Sequence, residues 1–313
     1  MIGAAPTVQV AADEHVFLVG RPPLSEYLAF IETHTVEGAG ADRQALAAEW
    51  RSANDRIIEL EQNEAGSADG VAVNAVPPEL RASADQVLAD PLVQRAFAVL
   101  PVEIGVVELD RLVVHQKQIN VGYVAALRTA LGDTPSSAEL FAFALPRDRR
   151  YDVPIRAGRT GPNAWTFVSD STDFRPLEPV LIDPAHVAGG MPLTGVPTAV
   201  VALSVGYGSN FLTAIQVDGR LVLNNGSHRA YALREAGHTH APCLIQTVSR
   251  REELEMVGVE PLNQRPQVYL DDPRPPLLKD YFDPQLRRLV HVPRKARQVR
   301  VMFNYEVTDA PLA

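Results

Sequence analysis

The stretch Leu221-Val222-Leu223-Asn224-Asn225-Gly226-Ser227-His228-Arg229-Ala230-Tyr231-Ala232-Leu233-Arg234-Glu235-Ala236-Gly237 reads as a strand, a tight turn and a helix. Leu221 to Leu223 closes an aliphatic run. Asn224, Asn225 and Gly226 accept the positive φ that a sharp turn demands. Ser227 has the side chain of an N-cap, and Gly237 stands where helices end in left-handed geometry. The turn therefore aims the free N–H groups of a helix N-terminus at one point, which attracts anions, phosphate above all. His228 and Arg229 lie in that first turn, where a cation opposes the helix dipole. An anion between them and the N–H groups would account for both. The plain alternative is a junction that binds nothing, with a surface arginine and a helix-packed histidine.

Working outward, Phe211 to Val217, then Asp218-Gly219, then Arg220 to Leu223 is a hairpin around a favoured two-residue turn. Thr198 to Val205 is strand-like and buried in character, and Gly206 to Asn210 interrupts it before the hairpin. Ala241 to Val248 is a strand after the helix. Further upstream, Val106 to Val114 reads as a strand. A loop, His115-Gln116-Lys117-Gln118-Ile119, then leads to a helix from Asn120 to Leu131. Asn120 is its candidate N-cap, Val124, Leu127 and Leu131 line one face, and Gly132 stops it.

Gly226-Ser227-His228-Arg229, followed by a short alanine-rich helix and Gly237, resembles the signature of the ParB/sulfiredoxin superfamily. Sulfiredoxins carry Gly-Cys-His-Arg here, the ParB-like free-serine kinases Gly-His-His-Arg, and the partition proteins a Gly-x-Arg-Arg form. The segment from Val106 to Leu131 resembles the superfamily's opening strand, loop and helix. The similar parts span residues 102–132 and 198–248, under a third of the chain. The resemblance implies an α/β fold, a mixed sheet with packed helices, over residues 101–250 with an insertion at about 133–197. It also implies that Gly226, Ser227, His228 and Arg229, with Lys117 from the neighbouring loop, hold nucleotide phosphates. The nucleotide would be ATP, CTP or a relative, with Mg²⁺. His115, Lys117, Ser227 and His228 become the catalytic candidates for phosphotransfer or nucleotide hydrolysis.

Three departures bear on that activity. Ser227 stands where sulfiredoxins have their catalytic cysteine, so thiolate attack is unavailable, and a serine needs a base to activate it. Gln116 takes the place of the kinases' catalytic carboxylate, and Tyr123 falls opposite the sulfiredoxins' nucleotide-binding lysine. The nearby acids Glu103, Glu108 and Asp110 are candidates to hold Mg²⁺ or act as a base, or are plain exposed strand positions. The second expectation is therefore a non-catalytic, nucleotide-gated or structural interaction protein. A third, a ParB-like nuclease or partition factor, meets an acidic chain without a clear helix-turn-helix.

The chain has 313 residues, 46% hydrophobic and 21% charged, with a formal net charge of −9. That composition suits a globular protein, and the charge argues against generic DNA or anionic-membrane binding. The single cysteine, Cys243, follows Pro242 in an apolar run and reads as a buried structural thiol. His238-Thr239-His240 offers two imidazoles without a nameable third ligand, so no metal site is expected. Met1 to Pro6 lacks a basic n-region, and no apolar run approaches the ~18 residues of a membrane helix. A cytoplasmic protein is expected.

The remaining segments read as follows. Glu14 to Gly20 is a short strand, and a helix runs through Tyr27, Leu28 and Ile31. Ala41 to Ala65 is helical, with a stripe of Leu46, Trp50, Ala53, Ile57 and Leu60 that Gly66 ends. This stripe packs into the core or serves a protein partner. Glu79 to Leu100 is one or two helices, so residues 1–100 form a mostly helical region with a boundary at Pro101. Leu140 to Leu145 is a strand or short helix, and Arg147 to Gly161 is loop. Trp165 to Val168 and Leu177 to Ile182 are two strands. His186 to Pro197 is loop, with Gly189-Gly190 its most flexible point. Residues 251–313 are an extension with helices at Arg251 to Val257 and Pro284 to Val290 and a final strand at Arg297 to Val307.

Overall fold

A computed structural model of the chain describes residues 11–147, 153–171, 173–177, 179–186, 196–208 and 210–309. The expectations on Met1 to Pro6 and Gly189-Gly190 lie outside these residues. In chain order the first elements are β1 (Ala12–Leu18), α1 (Leu24–His34), α2 (Arg43–Glu64), α3 (Arg81–Leu88), α4 (Pro91–Ala96), β2 (Val102–Glu108), β3 (Val113–Val114), β4 (Gln118–Asn120), α5 (Val121–Leu131) and α6 (Ser137–Ala144). Short strands follow: β5 (Ile155–Gly161), β6 (Ala164–Ser169), β7 (Phe174–Pro176), β8 (Val180–Ile182), β9 (Val200–Ala202) and β10 (Val205–Tyr207). Then come β11 (Thr213–Val217), β12 (Arg220–Asn225), α7 (Ser227–Glu235), β13 (His240–Thr247), α8 (Leu254–Val257), α9 (Glu260–Gln264), α10 (Pro266–Leu270), β14 (Arg287–Pro293) and β15 (Arg297–Met302).

The chain divides into two units, Met1–Asp148 with Asn210–Arg294, and Arg149–Ser209 with Lys295–Ala313. The helical first hundred residues thus share a unit with β2 to α6 and β11 to β14, without a cut at Pro101. In this first unit β11 and β12 form the expected hairpin. Asp218 (φ 49°) and Gly219 (φ 76°) both take left-handed backbone, the pair of positive φ values that matches strand twist in a two-residue turn. β13 pairs parallel with β11, β3 pairs parallel with β12, and β2 closes the far edge antiparallel to β13. The result is a mixed five-stranded sheet in the order β2-β13-β11-β12-β3. α7 buries Ala230, Tyr231, Ala232 and Leu233 in the core that also holds Leu221, Leu223 and Val114. The opposite face of the sheet, Val113, Ile215, Val217 and Val222, packs with Leu254, Leu262 and Tyr269.

A second sheet of the same unit has the order β14-β1-β4. β14 replaces the helix expected at Pro284 to Val290. Val290 is buried and Leu289 exposed, the alternation of a strand, and all seven of its residues pair with β1. Tertiary pairing overrides a local pattern too short to specify a helix. α2 matches its predicted span, and Asp42 caps it by accepting from Gln44 and Ala45 N–H. Its Leu46, Ala53, Ile57 and Leu60 pack with Phe17, Tyr27, Ile31 and Val290. Of the two uses expected for the stripe, this is packing into the core. At the C-terminal end of α2, Glu64 meets the buried Arg274, which also pairs with the buried Asp280 at 2.6 Å.

Two further expectations are corrected here. Val106 to Val114 is two strands broken by the 3₁₀ turn Leu109–Arg111, which buries Leu109. Leu140 to Leu145 takes the short-helix alternative, within α6 and its C-cap; the helix opens with a capping box of Ser136 and Glu139. In the second unit the loop expected over Arg147 to Gly161 contains β5. Backbone pairing with β6, and not side-chain burial, makes it a strand: all but its last residue are exposed. β15 adds to β6 on the other side, β7 pairs with β10, and β8 with β9.

Candidate functional site

β3 and β12 run parallel, with Val113 opposite Val222 and Val114 opposite Leu223, so both strands end at the same edge. Gly226 turns β12 into α7 with φ 88° and ψ 23°, left-handed backbone. A Cβ there would meet Leu212 Cα at 3.0 Å and the Phe211 carbonyl at 3.2 Å, so both conformation and space require glycine. The Gly226 carbonyl accepts from the N–H groups of Arg229 (2.9 Å) and Ala230 (2.8 Å). The N–H groups of Ser227 and His228 stay outside the helical ladder, at the mouth of α7. Ser227 is therefore the first helical residue. Its expected N-cap role is corrected: Gly226 is the cap and no side chain caps the helix. The glycine already supplies the turn, which moves the helix start one residue later.

His228 sits in a polar group drawn from three elements. Its Nε2 accepts from the Asn120 N–H at 3.0 Å. Asn120 caps α5 as expected, accepting from the Tyr123 N–H at 2.8 Å, and its Nδ2 lies 3.4 Å from His15 Nε2 on β1. The Tyr123 ring meets the His228 ring edge-on at 5.3 Å. Burial lowers the His228 pKa to about 4, with the charge of His15 acting in the same direction. Burial also lowers His15, against the opposing pull of Asp13. Both imidazoles are neutral at pH 7.

The other expected site residues diverge from this point. Arg229 is buried, 6% exposed; Nη1 donates to the Phe143 carbonyl and the guanidinium lies 5.1 Å over the Phe143 ring. Its charge is directed at α6. Lys117 pairs with Glu26 at the start of α1, and its carbonyl accepts from the Leu18 N–H at 2.9 Å. His115 lies beside Leu223 and Asn224, whose backbone hydrogen bonding raises its pKa against a larger lowering by burial. Val113 and Val222 belong to the core opposite α7, and strand alternation carries His115 and Asn224 to that same face. Gln116 donates to the Gln118 carbonyl at 3.1 Å, and its own carbonyl accepts from the Tyr281 hydroxyl.

The acids are elsewhere. Glu103 and Glu108 are on β2, at the opposite edge of the sheet from β3, and Asp110 pairs with Arg234 at 2.6 Å. Among the described residues no group of three or more His, Cys, Asp and Glu is arranged to hold a metal. Cys243 is buried, and burial pushes its thiol pKa up. Among the described residues no helix is long and apolar enough to cross a membrane. His15 is the member of the polar group that sequence reasoning missed. Only the β1–β4 pairing, His15 opposite Asn120, brings it in, and nothing local to β1 signals it.

No protein-family model, curated protein or solved structure matches the chain.

Proposed function

We propose that this chain is a ParB/sulfiredoxin-like protein that binds the phosphate of a nucleotide where β12 turns into α7. One observation carries the reading: a glycine held left-handed at a closed position opens α7 on the N–H groups of Ser227 and His228, with no side chain capping them. The mixed sheet and its Asp218-Gly219 hairpin are compatible with that family. Recognition rests on backbone donors and a neutral imidazole, while Arg229 and Lys117 hold α6 and α1. The donor set suits an anion. It does not suit a protein-held Mg²⁺, since among the described residues no three or more His, Cys, Asp and Glu are grouped to hold a metal; any Mg²⁺ would arrive on the nucleotide.

Phosphotransfer or hydrolysis would need a base in reach of the nucleophile. Among the described residues no base is hydrogen-bonded to Ser227, and alternation from Val113 carries His115 to the other face of the sheet. That arrangement favours the second reading, a nucleotide-gated or interaction protein without turnover. A thermal-shift screen of ATP, CTP, GTP and inorganic phosphate, with and without Mg²⁺, tests the binding. A ligand at a hundred times its dissociation constant adds about 2.7 kcal/mol of stability. If none raises the melting temperature, the phosphate reading fails. Phosphate release from the best ligand separates the two readings.

A further inference from the structure

We infer that His228 serves this site as an uncharged donor through Nδ1, and that Asn120 and His15 are positioning residues that keep it so. The inference rests on the phosphate reading for its ligand and on geometry for the rest. A neutral imidazole carries one proton. The Asn120 N–H donates to Nε2 at 3.0 Å, so that nitrogen presents its lone pair and the proton resides on Nδ1. That leaves Nδ1–H as the ring's remaining donor, on the same residue whose N–H stands at the mouth of α7.

Asn120 is the hub of the arrangement. Its N–H fixes His228, its Oδ1 caps α5, and its Nδ2 reaches His15. Donation from Nδ2 makes His15 Nε2 an acceptor as well. Protonating either imidazole at Nε2 would set two donors against each other, so one asparagine holds both rings neutral. The ionisable groups facing the pair are His15 itself and Asp13 on β1 and Tyr123 on α5. The consequence is recognition of a dianion without an imidazolium, with an affinity insensitive to pH across the range in which histidine ordinarily titrates.

The test has two parts on the full chain. Two-bond ¹H–¹⁵N correlation spectra, with His228→Gln to assign the signals, should show Nδ1 protonated and Nε2 bare from about pH 8 down to about pH 6. A proton on Nε2, or rapid averaging between the two tautomers, overturns the inference. Sulfate, which keeps its charge over the range, is the second probe. Its affinity for the parent should stay within about twofold between roughly pH 8 and 5.5. Asn120→Asp keeps the α5 cap but puts a carboxylate against His15. In that variant sulfate should bind about tenfold more tightly at the acidic end, as the imidazoles charge. An acid-enhanced affinity in the parent shows imidazolium recognition and refutes the inference. Sulfate binding to neither protein removes the phosphate reading, and the spectra still decide the tautomer.

Discussion

At the edge where β3 and β12 end, the two faces of the five-stranded sheet each hold one imidazole, and they hold it differently. On the α7 face, His228 Nε2 is matched by a backbone N–H, and Tyr123 packs against the ring. On the other face, His115 Nε2 and the neighbouring Asn224 Oδ1 are buried without a hydrogen-bond partner among the described residues. Burial lowers the pKa of both histidines. The difference teaches that burial decides the charge of an imidazole, while the partner decides which nitrogen is left for a ligand. It also separates two residues expected to act together, because alternation along β3 carries His115 to one face of the sheet while His228 rides on α7 over the other.

The harshest way to break the α7 side is Gly226→Ala. Left-handed backbone costs an alanine roughly 1–2 kcal/mol, and overpacking against Leu212 typically costs 1–3 more. A loss of about 2–4 kcal/mol in urea unfolding is expected, and a loss below about 1 kcal/mol would mean that the turn relaxes freely. Next is Arg229→Ala, which removes a charged hydrogen bond to the Phe143 carbonyl. It should cost roughly 1.5–3 kcal/mol of stability, with a smaller effect on ligand affinity. The sequence alone would have predicted the reverse order, and calorimetric titration of the folded variant distinguishes the two.

The pH dependence sharpens the comparison. A histidine whose folded pKa lies below its unfolded value takes up its proton first in the unfolded chain. The stability it contributes is complete above pH 6.5 and is lost as pH falls from there toward 4, the window set by His228. His15 and His115, lowered by burial, act in the same direction. Urea unfolding should lose about 3 kcal/mol across that window, and His228→Gln should flatten the slope relative to the parent. A profile equally steep in variant and parent would locate the acid sensitivity elsewhere.

Smaller still is Ser227→Ala. As the first helical residue and not the cap, Ser227 should change stability by less than about 0.5 kcal/mol, against about 1 kcal/mol for a true cap. Finally, no mobility shift of random duplex DNA is expected at physiological salt and nanomolar protein, because the chain carries 38 acidic against 29 basic residues. A salt-sensitive shift would point to a local basic surface that overcomes the net charge.

What the sequence determined by itself was local. The hairpin at Asp218-Gly219, the turn at Gly226, the Asn120 cap and the apolar stripe of α2 are short-range devices, and each stands where its residues indicate. Turn chemistry and helical periodicity act within a few residues, so they can be read without the fold. The tertiary structure alone decided which polar groups meet. The Phe143 carbonyl under Arg229, Glu26 beside Lys117 and His15 beside Asn120 come from residues 86, 91 and 105 positions away. β14 became a strand only because β1 was there to pair with it. The destination of a charge depends on the nearest group able to compensate its desolvation, and that neighbour is set by long-range packing.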